Sequence, residues 1–254
     1  MANPWPFLDH PGPIPFAHRG GAGDWPENTM PAFEAAVALG YRYVETDVHV
    51  TADGILLAFH DDHLDRVTNR TGVISEMPWR EVRLARVDGR EPIPLLEDLL
   101  GTWPDLRVNI DPKHDGAIAS LVDVLRRTGS TQRVCLGAFS DRRLALLRRA
   151  LGPDVCMSLG PQATARLRAA SFGLPVGRMR GACAQVPQAF RGIKMTDRRL
   201  VDEAHRRGLQ VHVWTIDDAR EMERLLDVGV DGIMTDRPVV LRQVLERRGQ
   251  WIVD

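Results

Sequence analysis

Three short segments in the first half of the chain bring together acids, imidazoles and a guanidinium. They are Ala17-His18-Arg19-Gly20, Val44-Glu45-Thr46-Asp47-Val48 and Phe59-His60-Asp61, and each closes an apolar, strand-like run. A fourth segment, Asn109-Ile110-Asp111-Pro112-Lys113, adds an acid and a cation in the same setting. Carboxylates hold divalent cations, and an arginine fork matches phosphate oxygens bidentately. Imidazole has a near-neutral pKa that suits both proton removal and proton donation. Together these are the parts for metal-assisted cleavage of a phosphate ester.

Strand periodicity sharpens this reading. In Tyr43–Val50, residues Val44, Thr46, Val48 and Val50 share one face, while Glu45, Asp47 and His49 share the other. Acids two apart on a strand lie about 7 Å apart at the backbone, so their side chains can converge on one ion. Parallel strands are covered on both faces, and two bare buried acids would be costly without a cation. Asp111 and Lys113 repeat the spacing. The plain alternative for that pair is a surface ion pair, but the C-terminal ends of barrel strands carry active sites. Glu27 and Asn28 follow Pro26 at an expected helix start. Asn28 reads as an N-cap, and Glu27 as a metal or substrate contact. His10, His49, His63, His114, His205 and His212 are expected at the surface.

The elements that position these groups alternate. Strands are expected at Ile14–His18, Tyr43–Val50, Ile55–His60, Arg107–Asp111, Val134–Phe139, Val155–Leu159, Ala182–Val186, Val211–Ile216 and Gly232–Thr235. Amphipathic helices are expected at Met30–Leu39, Leu95–Thr102, Ala117–Thr128, Asp141–Ala150, Gln162–Phe172, Asp197–Arg207, Ala219–Val228 and Val239–Arg248. Such alternation implies a parallel sheet covered by helices. With Ile55–His60 taken as an extension of the second strand, about eight βα units remain. The expected fold is therefore α/β, a (β/α)8 TIM barrel in a single domain over residues 1–254. The polar stretch 62–94 breaks the rhythm and reads as an insertion capping the C-terminal face.

Bulk properties narrow the class. A chain of 254 residues with 44% hydrophobic content is long enough for one such barrel. Lys plus Arg number 33 against 34 for Asp plus Glu, which gives no global pull toward nucleic acid or an anionic membrane. Arginine pairs such as Arg142-Arg143, Arg148-Arg149 and Arg206-Arg207 read as solvated helix faces. Cys135, Cys156 and Cys183 are too few and too scattered for a disulfide framework or a zinc pattern, and read as buried strand residues. The N-terminal residues lack the basic and apolar regions of a secretory signal, and no apolar run is long enough to span a bilayer. A cytoplasmic enzyme without a stable membrane anchor is expected.

The combined motifs resemble glycerophosphodiester phosphodiesterases. His18-Arg19-Gly20, Pro26-Glu27-Asn28-Thr29, Glu45-x-Asp47, the Thr51–Gly54 turn, His60-Asp61 and Ile93-Pro94-Leu95-Leu96-Glu97-Asp98 match that family in order and spacing. Val213-Trp214-Thr215 and the run Gly229 to Pro238 extend the match over nearly the whole chain. The resemblance implies a divalent metal and hydrolysis of glycerophosphodiesters to glycerol 3-phosphate and an alcohol. By position, Glu45, Asp47, Glu27 and Asp111 would hold the metal, Mg²⁺ or Ca²⁺. His18 and His60 would form the acid/base pair, Arg19 and Lys113 would hold phosphate, and Trp214 would stack on the glycerol moiety or else fill the barrel core. Many family members carry glutamate where this chain has Asp111, so that carboxylate either sits closer to the ion or reaches it through water. Two other readings are a lysophospholipase D, with Ile74, Met77 and Trp79 either lining an acyl channel or simply packing the insertion down, and a non-catalytic phosphoester-binding barrel. The intact set His18, His60, Glu45 and Asp47 argues against the latter.

Overall fold

The computed structural model describes residues 4–190 and 193–252. In chain order its first half contains β1 (Ile14–His18), α1 (Met30–Ala38), β2 (Tyr43–Val50), β3 (Leu56–Ala58), α2 (Trp79–Val82), β4 (Arg86–Val87), β5 (Glu91–Pro92), α3 (Leu96–Thr102), β6 (Arg107–Pro112) and α4 (Ala117–Arg127). The second half contains β7 (Val134–Leu136), α5 (Asp141–Leu151), β8 (Cys156–Met157), α6 (Pro161–Ala170), β9 (Cys183–Pro187), β10 (Ala189–Phe190) and β11 (Ile193–Lys194). It ends with α7 (Arg198–Arg206), β12 (Gln210–Trp214), α8 (Ala219–Val228), β13 (Gly232–Thr235) and α9 (Pro238–Arg247).

Eight parallel strands run in the order β8-β7-β6-β2-β1-β13-β12-β9. A parallel bridge between Ser158 and Cys183 joins the two ends, so the sheet nearly closes into the expected (β/α)8 barrel. Four of the described helices begin where short polar side chains satisfy free backbone N–H groups. Thr29 accepts from Ala32 N, Ser140 from Arg143 N, Asp197 from Leu200 N and Asp218 from Glu221 N. The cap of α1 is thus Thr29, not Asn28 as expected. Among the described residues no helix is long and apolar enough to cross a membrane.

Side-chain alternation divides the core into shells. One face of each strand packs against the helices in two large apolar clusters. The other face fills the barrel, where Ile14, Phe16, Tyr43, Met234 and the three cysteines pack together. All three cysteines are buried, as expected. Phe7 and Leu8 close this interior at the N-terminal ends of the strands. There the Phe7 carbonyl accepts from Tyr43 Oη at 2.9 Å, and the Asp9 carbonyl accepts from Arg107 Nη1 at 2.7 Å. The barrel interior is therefore apolar toward its base, rimmed there by Arg107, and the buried carboxylates lie at the opposite mouth.

The run Ile55–His60 departs from expectation. It does not extend the second strand; β3 turns back and pairs antiparallel with β2, with Val48 opposite Ala58. The Thr51–Gly54 turn makes this return possible, with Gly54 in the left-handed region at φ 88°. From β3 the chain runs through 62–94, where α2, β4 and β5 surround a small core of their own. Ile74 is fully buried in it, and Met77 and Trp79 pack against it. These three side chains hold the segment together instead of lining an open channel.

Candidate active site

Because β2 alternates, Glu45 and Asp47 point into the barrel mouth, 5% and 2% exposed. Parallel register places His18 beside Glu45, and Asp111 beside Asp47. The turn after β1 then brings in the guanidinium. Arg19 adopts a left-handed conformation, φ 52°, uncommon for a side chain of this size. Its backbone N–H donates to the Glu45 carbonyl, and its own carbonyl accepts from Asn28 N. Fixed in this way, Arg19 donates from Nη1 to Glu27 Oε1 at 3.1 Å.

The antiparallel return of β3 explains how His60 reaches the same place. Phe59 N donates to the Asp47 carbonyl at 2.9 Å, so the following residue comes down beside the mouth. A continued strand would have carried His60 about 40 Å beyond Asp47. Each imidazole is backed by a carboxylate. His18 Nδ1 donates to Asp236 Oδ1 at 2.6 Å, and His60 Nδ1 donates to Asp61 Oδ1 at 2.5 Å. A carboxylate only accepts, so both contacts fix the Nδ1–H tautomer and leave Nε2 for chemistry. His18 Nε2 lies 3.6 Å from Glu45 Oε2.

Cations bridge the acids. Lys113 Nζ stands 2.7 Å from Asp47 Oδ1 and 2.8 Å from Asp111 Oδ2. Arg66, from the segment after β3, reaches both Glu27 (2.7 Å) and Asp61 (2.5 Å). Trp214 sits at the end of β12 with its ring edge-on to Phe139, centroids 5.4 Å apart, and Lys113 lies over the Phe139 ring. Glu27, Arg19, Glu45, Asp47, Lys113, Asp111, His18 and His60 therefore form one connected network around the mouth.

The charges are strained by burial. Glu45 is pushed up to about 7, first by desolvation and then by Asp47 beside it. Burial also raises Asp111. For His18, burial would lower the pKa, but the Glu45 and Asp236 carboxylates outweigh it and the imidazole is raised. Asp61 is held down to about 2: the hydrogen bonds from Arg66 and His60 overcome its desolvation. Arg19 Nε is 3.3 Å from Asp47 Oδ2 but misaligned, so both buried atoms lack a hydrogen bond. Asp111 Oδ1 also lacks one. Among the described residues no three acids, imidazoles or thiols stand in an array that would ligate a metal. The donor set itself is hard oxygen, crowded and short of partners, and that chemistry fits Mg²⁺ or Ca²⁺.

Several contributors escaped sequence reasoning. Asp236 and Asp61 lie inside recognised motifs, yet only the fold shows which imidazole each one backs. His49 is 3% exposed and its Nε2 lies 2.9 Å from the His60 carbonyl, so it is a buried support for His60, not the surface residue expected. His212 is likewise fully buried, against Phe16 inside the barrel. Asn28 also has positive φ, and its Oδ1 accepts from Thr46 Oγ1 at 2.7 Å behind β2.

Known proteins are similar to this chain in sequence and in fold. The model of the glycerophosphoryl diester phosphodiesterase family matches residues 18–240. A probable glycerophosphodiester phosphodiesterase 2 from Mycobacterium tuberculosis is 41% identical over 96% of this chain and 95% of its own. A putative glycerophosphoryl diester phosphodiesterase from Silicibacter pomeroyi superposes with TM-score 0.80 at 24% identity, covering 96% of this chain and 98% of that one. An Oleispira antarctica phosphodiesterase, solved in complex with the product sn-glycerol-3-phosphate, superposes with TM-score 0.78 at 25% identity, covering 92% and 97%. This chain belongs to the glycerophosphoryl diester phosphodiesterase family and is a hydrolase of phosphoric diesters.

Proposed function

We propose that this protein hydrolyses glycerophosphodiesters to glycerol 3-phosphate and an alcohol, with His18 and His60 as the proton-transfer pair at a divalent metal. The observation that carries this reading is the pair of carboxylate-backed imidazoles sharing one mouth with Arg19, Lys113 and the buried acids. Glu45 and Asp47, joined by Glu27 and Asp111, would hold the ion, and Trp214 would cover the glycerol end of the substrate. When bound, a divalent cation supplies Lewis-acid stabilisation of charge on the phosphoryl oxygens.

The chain's own groups do the rest. Arg19 and Lys113 bind the anionic diester and meet the charge that builds on phosphorus, already oriented before reaction. His18, its basicity raised by Asp236 and Glu45, removes a proton from the nucleophile at Nε2. His60, held by Asp61, delivers a proton to the leaving oxygen. The nucleophile is either water or the glycerol hydroxyl next to the ester, which gains from proximity. The segment 62–94 would cap the site, with Arg66 as its tether to Glu27 and Asp61.

The test is release of glycerol 3-phosphate from glycerophosphocholine by metal-stripped protein, with Mg²⁺ or Ca²⁺ restored. His18→Ala and His60→Ala are each expected to lower kcat by about 10²–10⁴-fold. Lysophosphatidylcholine serves as the competing substrate, and its preferred cleavage would replace this reading with a lysophospholipase D. Unchanged turnover in either variant would remove that histidine from the mechanism.

A further inference from the structure

Outside the mouth, one gap in the ring of helices is chemically distinctive. Helix α5 packs against α4, and α6 against α7. Between α5 and α6 lies a groove of about 560 Å³, a size typical of small-molecule sites. It is lined by Arg148 and Arg149 of α5, Arg166 of α6, and Arg178 and Arg180 just before β9. Asp141 is its one acidic lining residue.

Elsewhere on this nearly neutral chain, surface arginines are mostly paired. Arg142 and Arg143 contact Asp115, Arg168 contacts Asp197, Arg206 and Arg207 contact Glu203, and Arg248 contacts Asp227. Among the described residues, none of the five groove arginines is within ion-pair distance of a carboxylate. Concentrating like charges without counter-charge disfavours the fold unless something anionic occupies the groove.

We propose that this groove is a second anion site, separate from the barrel mouth, that takes a small molecule carrying two or more linked phosphates. Guanidinium forks are suited to bidentate phosphate recognition, and one phosphate would not satisfy five of them. The groove is also polarised. Asp141 already accepts from Gln162 N at its upper end, while Arg148, beside Arg180, lies toward the other end of α5. Along α5 from Asp141 to Arg149 the distance is about 12 Å, room for a short phosphate chain at the lower end and a hydrogen-bond donor such as a hydroxyl near Asp141. Arg148 is half-buried, and burial together with the neighbouring Arg180 lowers its pKa, the behaviour of a cation missing its counter-ion.

This assignment is independent of the reaction proposed for the mouth. The test is calorimetric titration of the whole protein with sodium tripolyphosphate in metal-free buffer, beside Arg178→Ser/Arg180→Ser and Arg19→Ala. The two serine positions are exposed and outside any ion pair, and thermal unfolding verifies that the variants fold. The expected result is saturable binding that weakens about tenfold or more in the double variant and persists in Arg19→Ala. Loss in Arg19→Ala with an unchanged double variant would assign the anion to the mouth and overturn the proposal. Absence of binding to wild type would overturn it as well. A parallel arm uses phosphatidylglycerol vesicles: binding to vesicles but not to tripolyphosphate would replace the small-molecule site with a membrane-facing surface.

Discussion

His18 and Glu45 illustrate how one side chain's ionisation depends on its neighbours. Asp236 raises the His18 pKa, so Asp236→Asn is expected to lower it. If His18 acts as the base, the acidic limb of kcat/KM moves to lower pH in that variant, which a pH–rate profile reads directly. Glu45, also raised, is linked to folding in the same sense as His18. Its folded pKa, about 7, lies above the ordinary 4.5, so the folded state retains a proton that the unfolded state has released. Metal-free protein is therefore expected to lose stability as pH rises from 4.5 through about 7. A divalent cation that binds only the folded state should reverse the loss, by about 2.7 kcal/mol at a hundred times its dissociation constant. Urea unfolding at several pH values, with and without Mg²⁺ or Ca²⁺, measures both effects.

At the scale of elements, the β2–β3 hairpin matters most. Its antiparallel return delivers His60 to the mouth, and the segment that follows contributes Arg66. Asp61 is held at about 2 against an ordinary 3.8, so its contribution to stability is present above 3.8 and is lost as pH falls through 2. In Arg66→Ala the depression weakens. Because Arg66 is half-exposed, the expected loss at neutral pH is about 1 kcal/mol or less, shrinking toward zero in acid. Denaturant melts at pH 7 and in acid would show the convergence. Equal destabilisation at both would mean that Arg66 acts by packing instead.

Across the whole molecule, stability and chemistry sit at opposite ends of the barrel. Phe7 is fully buried at the base, against Phe16 and Tyr43. Phe7→Ala is expected to cost about 3–5 kcal/mol in chemical denaturation while leaving kcat unchanged in the folded fraction. A fall in kcat would mean that the base and the mouth are coupled through the interior layer of Phe16, Met234 and the cysteines.

Much of this architecture was legible before any coordinates. The βα rhythm, the alternation of Glu45 and Asp47, and the pairing of Arg19 with His18 are local patterns, because strand and helix periodicities are properties of contiguous residues. The barrel and the identities of the mouth residues followed from them. Tertiary structure decided what depends on residues far apart in sequence. Asp236 backs His18 across 218 positions, and Arg66 reaches back 39 positions to Glu27. His49 and His212 are buried because neighbouring elements cover them, which their own local sequence does not encode. The direction of β3 also depended on pairing: its short apolar run fits either an extension or a return, and only the ladder with β2 selects between them. Arg148-Arg149 looked like every other solvated pair in the chain, and only packing set it apart, by bringing α5, α6 and the approach to β9 together with Arg166, Arg178 and Arg180.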